Sequence, residues 1–139
     1  MNLKELKIFQ ASLMVLQIKI KNYHWNIQGK NFFEDHEQLD DFYEETVEQG
    51  DTFAEKIVMF DQVALGSFAE ALPLSFVKEV MGKRYTSDVI YKDLISDLEK
   101  ILDFVEKMNG NMDFRVQPII DELVLYAHKW VWKFKKSVA

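Results

Sequence analysis

No cysteine occurs in this chain, which removes disulfide staples and thiolate metal sites together. Such a composition suits a reducing compartment, and a cytoplasmic location is expected. Proline and glycine are scarce, two and five in 139 residues, and there is no linker-like tract, low-complexity segment or internal repeat. No run approaches the ~20 apolar residues of a membrane span. The opening MNLKELKIFQ is interrupted by Lys4, Glu5 and Lys7, so neither secretion nor membrane insertion is expected. Positive charge is also short. Lys and Arg number 17 against 23 Asp and Glu, leaving a formal charge of −6, which repels nucleic acid and anionic lipid and favours cations.

What is present is helical periodicity. Leu6, Phe9, Leu13, Leu16, Ile20, Tyr23 and Ile27 recur at steps of three and four and predict a first helix. Gly29 permits a turn. Asn31, with Glu34 three residues on, reads as an N-cap with its capping-box partner, and Leu39, Tyr43, Gly50, Phe53 and Ile57 continue a second helix that Gly66 is expected to stop. After Pro73, SFVKEVMG suffices for a short helix only. Ser87 or Thr86 caps a third long helix with the seam Ile90, Leu94, Leu98, Ile101, Val105 and Met108, ending at Asn109-Gly110-Asn111. Pro118 suits the first turn of a fourth, with Ile120, Leu123, Ala127, Trp130 and Phe134 inward. The expected fold is all-α: a four-helix bundle with a short helix in the long crossover between helices two and three, a connection of the ferritin-like kind. The length suits a single domain over residues 1–139.

One segment stands apart. From Asn31 to Asp51 there are nine Asp or Glu and no Lys or Arg, and two of the three histidines, His24 and His36, lie in or beside it. No Glu-x-x-His pair exists, and Asp40 stands where a zincin-like motif starting at His36 needs a second histidine. The remaining candidates are His24, His36, Asp51 and Glu55. Asp51 and Glu55, four apart, share a helix face. His36 precedes Asp51 by fifteen residues, about 22 Å along a helix and roughly 60° around it. These side chains share a face but cannot meet at one ion within one chain. Two antiparallel copies of the helix about a two-fold axis would set His36 of one beside Asp51 and Glu55 of the other and create two equivalent sites. Imidazoles with carboxylates and open positions suit Fe(II) that must meet an oxidant, and zinc also. A solvated acidic face is the plain alternative.

The words NYHWNIQGKNFF, DHEQLDDFYEE and GDTFAEKI, with intervals of twelve, fifteen and four between His24, His36, Asp51 and Glu55, resemble the signature of the Dps family, the miniferritins named for DNA protection during starvation. The resemblance is strong over residues 20–57, and the helix pattern extends it to nearly the whole chain. It implies a ferroxidase with His24 and His36 from one subunit and Asp51 and Glu55 from its dimer partner. It further implies a hollow dodecamer that oxidises Fe(II) to Fe(III), preferentially with hydrogen peroxide, stores ferric mineral and limits oxidative stress. Asp40, Glu44 and Glu48, one turn apart, are candidates for seeding mineral. Trp25 resembles a family aromatic that donates electrons, with a core role as the alternative. Trp132 is expected to pack.

The chain departs from the family in three places. The first helix is expected to begin by Leu3, leaving almost no Lys-rich tail of the kind that binds DNA, and Lys133, Lys135 and Lys136 form only a small basic patch. Phe114 and Pro118 stand where pore-lining acids are expected, leaving Asp113, Asp121 and Glu122 as substitutes. His128 precedes Lys129 where family members often carry an acid, and is expected to be an ordinary helix residue. A DNA-coating nucleoid protein is the alternative function, disfavoured by the charge; DNA binding is expected to be weak or absent.

Overall fold

The computed structural model describes residues 3–108 and 112–139; the expected stop at Asn109-Gly110-Asn111 lies outside them. Among the described residues the secondary structure is five helices, and none is long and apolar enough to cross a membrane. Two compact units divide the chain, Met1–Arg84 and Tyr85–Ala139.

In the first unit, α1 spans Lys4–Asn26 and buries the whole expected seam from Leu6 to Tyr23, with Ile27 buried just beyond its end. Ile27 turns to extended backbone (ψ 144°) while its N–H still reaches the Tyr23 carbonyl. Gly29 then takes φ 142°, a conformation side chains rarely adopt, and the chain reverses. The second helix, α2, spans Phe32–Met59 and buries Leu39, Phe42, Thr46, Gly50, Phe53 and Ile57. Phe42, not Tyr43, completes this face: both positions fit steps of three and four from Leu39, and Phe42 is the one that is buried. Tyr43, about 100° further round, is half-exposed, with the Lys21 ammonium 4.2 Å from its ring centre. Phe9 and Phe53 pack α1 on α2 with ring centres 5.2 Å apart.

The ends of α2 differ from expectation. Asn31 occupies the N-cap position, but its side chain makes no capping bond; its carbonyl accepts from Asp35 N–H at 2.9 Å. Gly66 does not stop the helix, which ends seven residues sooner at Met59, with Phe60 as its C-cap. Asp61 adopts the left-handed φ of 61°, its N–H donates to the Val58 carbonyl and Gln62 N–H donates to the Ile57 carbonyl. This is a Schellman closure with aspartate in glycine's usual place.

The crossover helix also lies elsewhere. The short helix α3 is Phe68–Ala71, before Pro73, and SFVKEVMG is not helical. Ser67 and Glu70 form a capping box overlooked in the sequence: Ser67 Oγ accepts from Glu70 N–H, and the Glu70 carboxylate accepts from Ser67 Oγ and Gly66 N–H. The segment after Pro73 satisfies its backbone on α1 instead. Phe76 N–H donates to Ser12 Oγ, and Asn22 Nδ2 donates to the Val80 and Met81 carbonyls.

The second unit pairs α4 (Ser87–Met108) with α5 (Gln117–Val138). Ile90, Leu94, Leu98 and Ile101 are buried on α4, while Val105 and Met108 are half-buried. Pro118 sits in the first turn of α5, and Ile120, Leu123, Ala127, Trp130 and Phe134 are buried as expected. Tyr91 stacks on Phe134 with ring centres 5.0 Å apart.

Candidate metal centre

The α1–α2 turn brings two imidazoles together. His24, near the end of α1, and His36, in the second turn of α2, stack with ring centres 3.7 Å apart and planes 12° from parallel. His24 Nδ1 lies 2.6 Å from the His36 carbonyl, and His36 Nδ1 lies 2.7 Å from the His24 carbonyl. A carbonyl oxygen can only accept, so each Nδ1 carries the proton and donates it. In the neutral rings each Nε2 is therefore a lone pair, the form a metal requires. Partial burial pushes the His24 pKa down, opposed by its bond to the His36 carbonyl, and so favours that neutral form. Phe32 stacks against the far side of His36, ring centres 5.0 Å apart.

Asp40, one turn beyond His36, accepts from Lys21 Nζ at 2.9 Å, and this bond holds its carboxyl below the usual range. Sequence reasoning missed Lys21, although the turn offers a signal. Lys21 and Asp40 lie at nearly equal distances before and after it, as His24 and His36 do.

Asp51 and Glu55 project from α2 one turn apart and exposed. The structure does not bring them to the imidazoles: among the described residues, no group of three or more His, Cys, Asp or Glu could hold a metal. The candidate ligands thus lie in two separate groups on the chain, one of nitrogen and one of oxygen.

Of the other candidates, Glu44 and Glu48 are exposed, while Asp40 is ion-paired. Trp25 is 62% exposed and Trp132 58%, so neither is a core residue of the chain; Trp130 fills that role. The difference is one of phase, since the buried row of α1 passes through Tyr23 and Ile27 and that of α5 through Trp130 and Phe134. His128 is exposed on α5. Asp113 is bound by Arg115 through both carboxylate oxygens, at 2.8 and 2.7 Å, which lowers its pKa strongly. Asp121 accepts from Gln117 Nε2 at 2.9 Å.

Comparison with known proteins defines the class first. The ferritin-like domain family matches residues 3–124. A DNA protection during starvation protein of Helicobacter pylori is 29% identical over 96% of this chain and 90% of its own length. Its counterpart in Listeria innocua is 30% identical over 90% of this chain and 83% of its own. The crystal structure of Dps from Staphylococcus aureus superposes with a TM-score of 0.92 at 28% identity, covering 99% of this chain and 94% of that one. This chain therefore belongs to the ferritin-like family, among the DNA protection during starvation proteins, and its fold is the ferritin-like one with a short crossover helix.

Proposed function

We propose that this chain is an iron-oxidising and iron-storing miniferritin, a ferroxidase that uses hydrogen peroxide in preference to dioxygen. Residues 1–139 form its single ferritin-like domain, and it works in the cytoplasm as a hollow dodecamer. The observation that carries this reading is the reciprocal His24–His36 arrangement, in which both Nδ1 atoms are tied to carbonyls and both Nε2 atoms remain for a metal. Iron is the substrate. The partner subunit's Asp51 and Glu55 complete each site and offset the positive charge that Fe(II) brings. Two Fe(II) ions lose one electron each; peroxide takes both electrons with two protons and leaves as two waters. Because both electrons go to one peroxide, no hydroxyl radical is released. Glu44 and Glu48, with Asp40 beside them, attract the ferric product and seed mineral. Trp25, exposed next to His24, serves as a spare electron donor.

Stopped-flow oxidation of Fe(II) by peroxide and by dioxygen tests the activity, and mixed assembly tests the divided site. A chain with His24→Ala and His36→Ala, and another with Asp51→Ala and Glu55→Ala, should each assemble but oxidise iron poorly. Co-refolded, about half the dimers are mixed, each with one whole site of two, so roughly a quarter of wild-type oxidation should return. A confirmed mixed assembly as inactive as its parents rules the divided site out.

A further inference from the structure

The antiparallel α2 pairing of the proposed ferroxidase site fixes more than four ligands, and the Phe33 contact inferred from it rests on that proposed site. At about 100° per residue, Phe33, His36, Asp51, Ala54, Glu55 and Val58 all fall within roughly 100° of one another on α2, away from its core face. Phe33 is 87% exposed although it opens this face. At the opposite end of the same face lies a groove of about 300 Å³ lined by Ala54, Glu55, Val58, Met59 and Ala64, with Val58 57% and Met59 71% exposed. If position 36 of one helix faces the gap between Asp51 and Glu55 of its antiparallel copy, position 33 faces about position 56, between Ala54 and Val58.

We infer that Phe33 of each protomer seats in the Ala54–Val58–Met59–Ala64 groove of a second copy of this chain, one aromatic anchor at each end of the paired helices. At each end of the paired helices an exposed ring and an exposed apolar groove stand ready to cover each other, twice by symmetry.

The absence of cysteine gives a clean test. Positions 33 and 58 lie about 37 Å apart along one helix, so a short thiol-to-thiol cross-linker can join them only between chains. A full-length chain carrying Phe33→Cys and Val58→Cys should run largely as a covalent dimer on a denaturing gel. Phe33→Cys alone, with its two copies about 34 Å apart across the two-fold, should stay monomeric. Both positions are exposed, so folding is not at risk. Phe33→Asp should raise the concentration at which the assembly dissociates about tenfold, since it sets an unpaired carboxylate in the groove. Recovery of a quarter of activity in the mixed assembly, without the 33–58 cross-link, overturns the Phe33 seat and leaves the divided site standing. Efficient cross-linking of Phe33→Cys alone also overturns it, and loss of both signals overturns both.

Discussion

Each imidazole of the His24–His36 pair is oriented by the backbone carbonyl of the other, so replacing one side chain leaves its neighbour's hydrogen bond in place and removes only the stacked ring. Residue type and spacing made the four candidate ligands legible in the sequence. The proton arrangement was not, because it depends on where two backbone carbonyls point, and no side-chain pattern encodes that. Lys21 escaped for a related reason: its meaning lies in its register across the turn, not in its own helix. The Lys21–Asp40 bond stands outside the ligand set, and Asp40→Asn removes its ionic character while keeping an acceptor oxygen. With the pair partly exposed, the cost at neutral pH should be below about 1 kcal/mol. The sign with pH is set by the lowered Asp40 carboxyl. Its stabilisation is present above the unfolded value of 3.8 and is lost as pH falls through the lower folded value. Urea unfolding of variant and wild type should therefore differ at pH 7 and converge in strong acid; a gap that widens in acid would reverse the assignment.

At the scale of elements, the long helices were legible because their apolar rows repeat over about four to six turns, and every expected row is largely buried. The connections were not. Glycine and proline are weak guides when aspartate closes a helix, as Asp61 does, and when α1 side chains hold a non-helical segment whose sequence would permit a short helix, as Ser12 and Asn22 do. The left-handed φ of 61° at Asp61 gives a direct test. Asp61→Gly should hold or raise stability, by up to about 1 kcal/mol, because glycine carries no penalty there. Asp61→Val should lower it by about 1–2 kcal/mol through the clash of a branched Cβ. Both are read as shifts of the urea midpoint at constant slope, and equal effects of the two would mean that α2 ends differently in solution.

Across the whole molecule the dominant quantity is charge. The relatives are named for DNA protection, yet 17 cations against 23 anions give this chain a net charge of −6. The proposed dodecamer would multiply that deficit. Binding to duplex DNA draws its free energy chiefly from counterions released as Lys and Arg neutralise phosphates. Here Arg115 is engaged by Asp113, Lys21 by Asp40, and Lys135 lies 3.9 Å from Glu99. Protection of DNA by this chain would then run through removal of Fe(II) and peroxide, the reagents of hydroxyl-radical damage, and not through contact. In a gel-shift experiment near physiological salt and neutral pH, the sized assembly should leave duplex DNA unretarded. In the same buffer it should suppress strand nicking by Fe(II) and peroxide, and the chain with His24→Ala and His36→Ala should suppress it much less. Retardation that persists at raised salt would reveal a cationic surface and return the DNA-coating alternative to first place. Protection that survives the loss of both histidines would show that shielding, not iron oxidation, is the protective act.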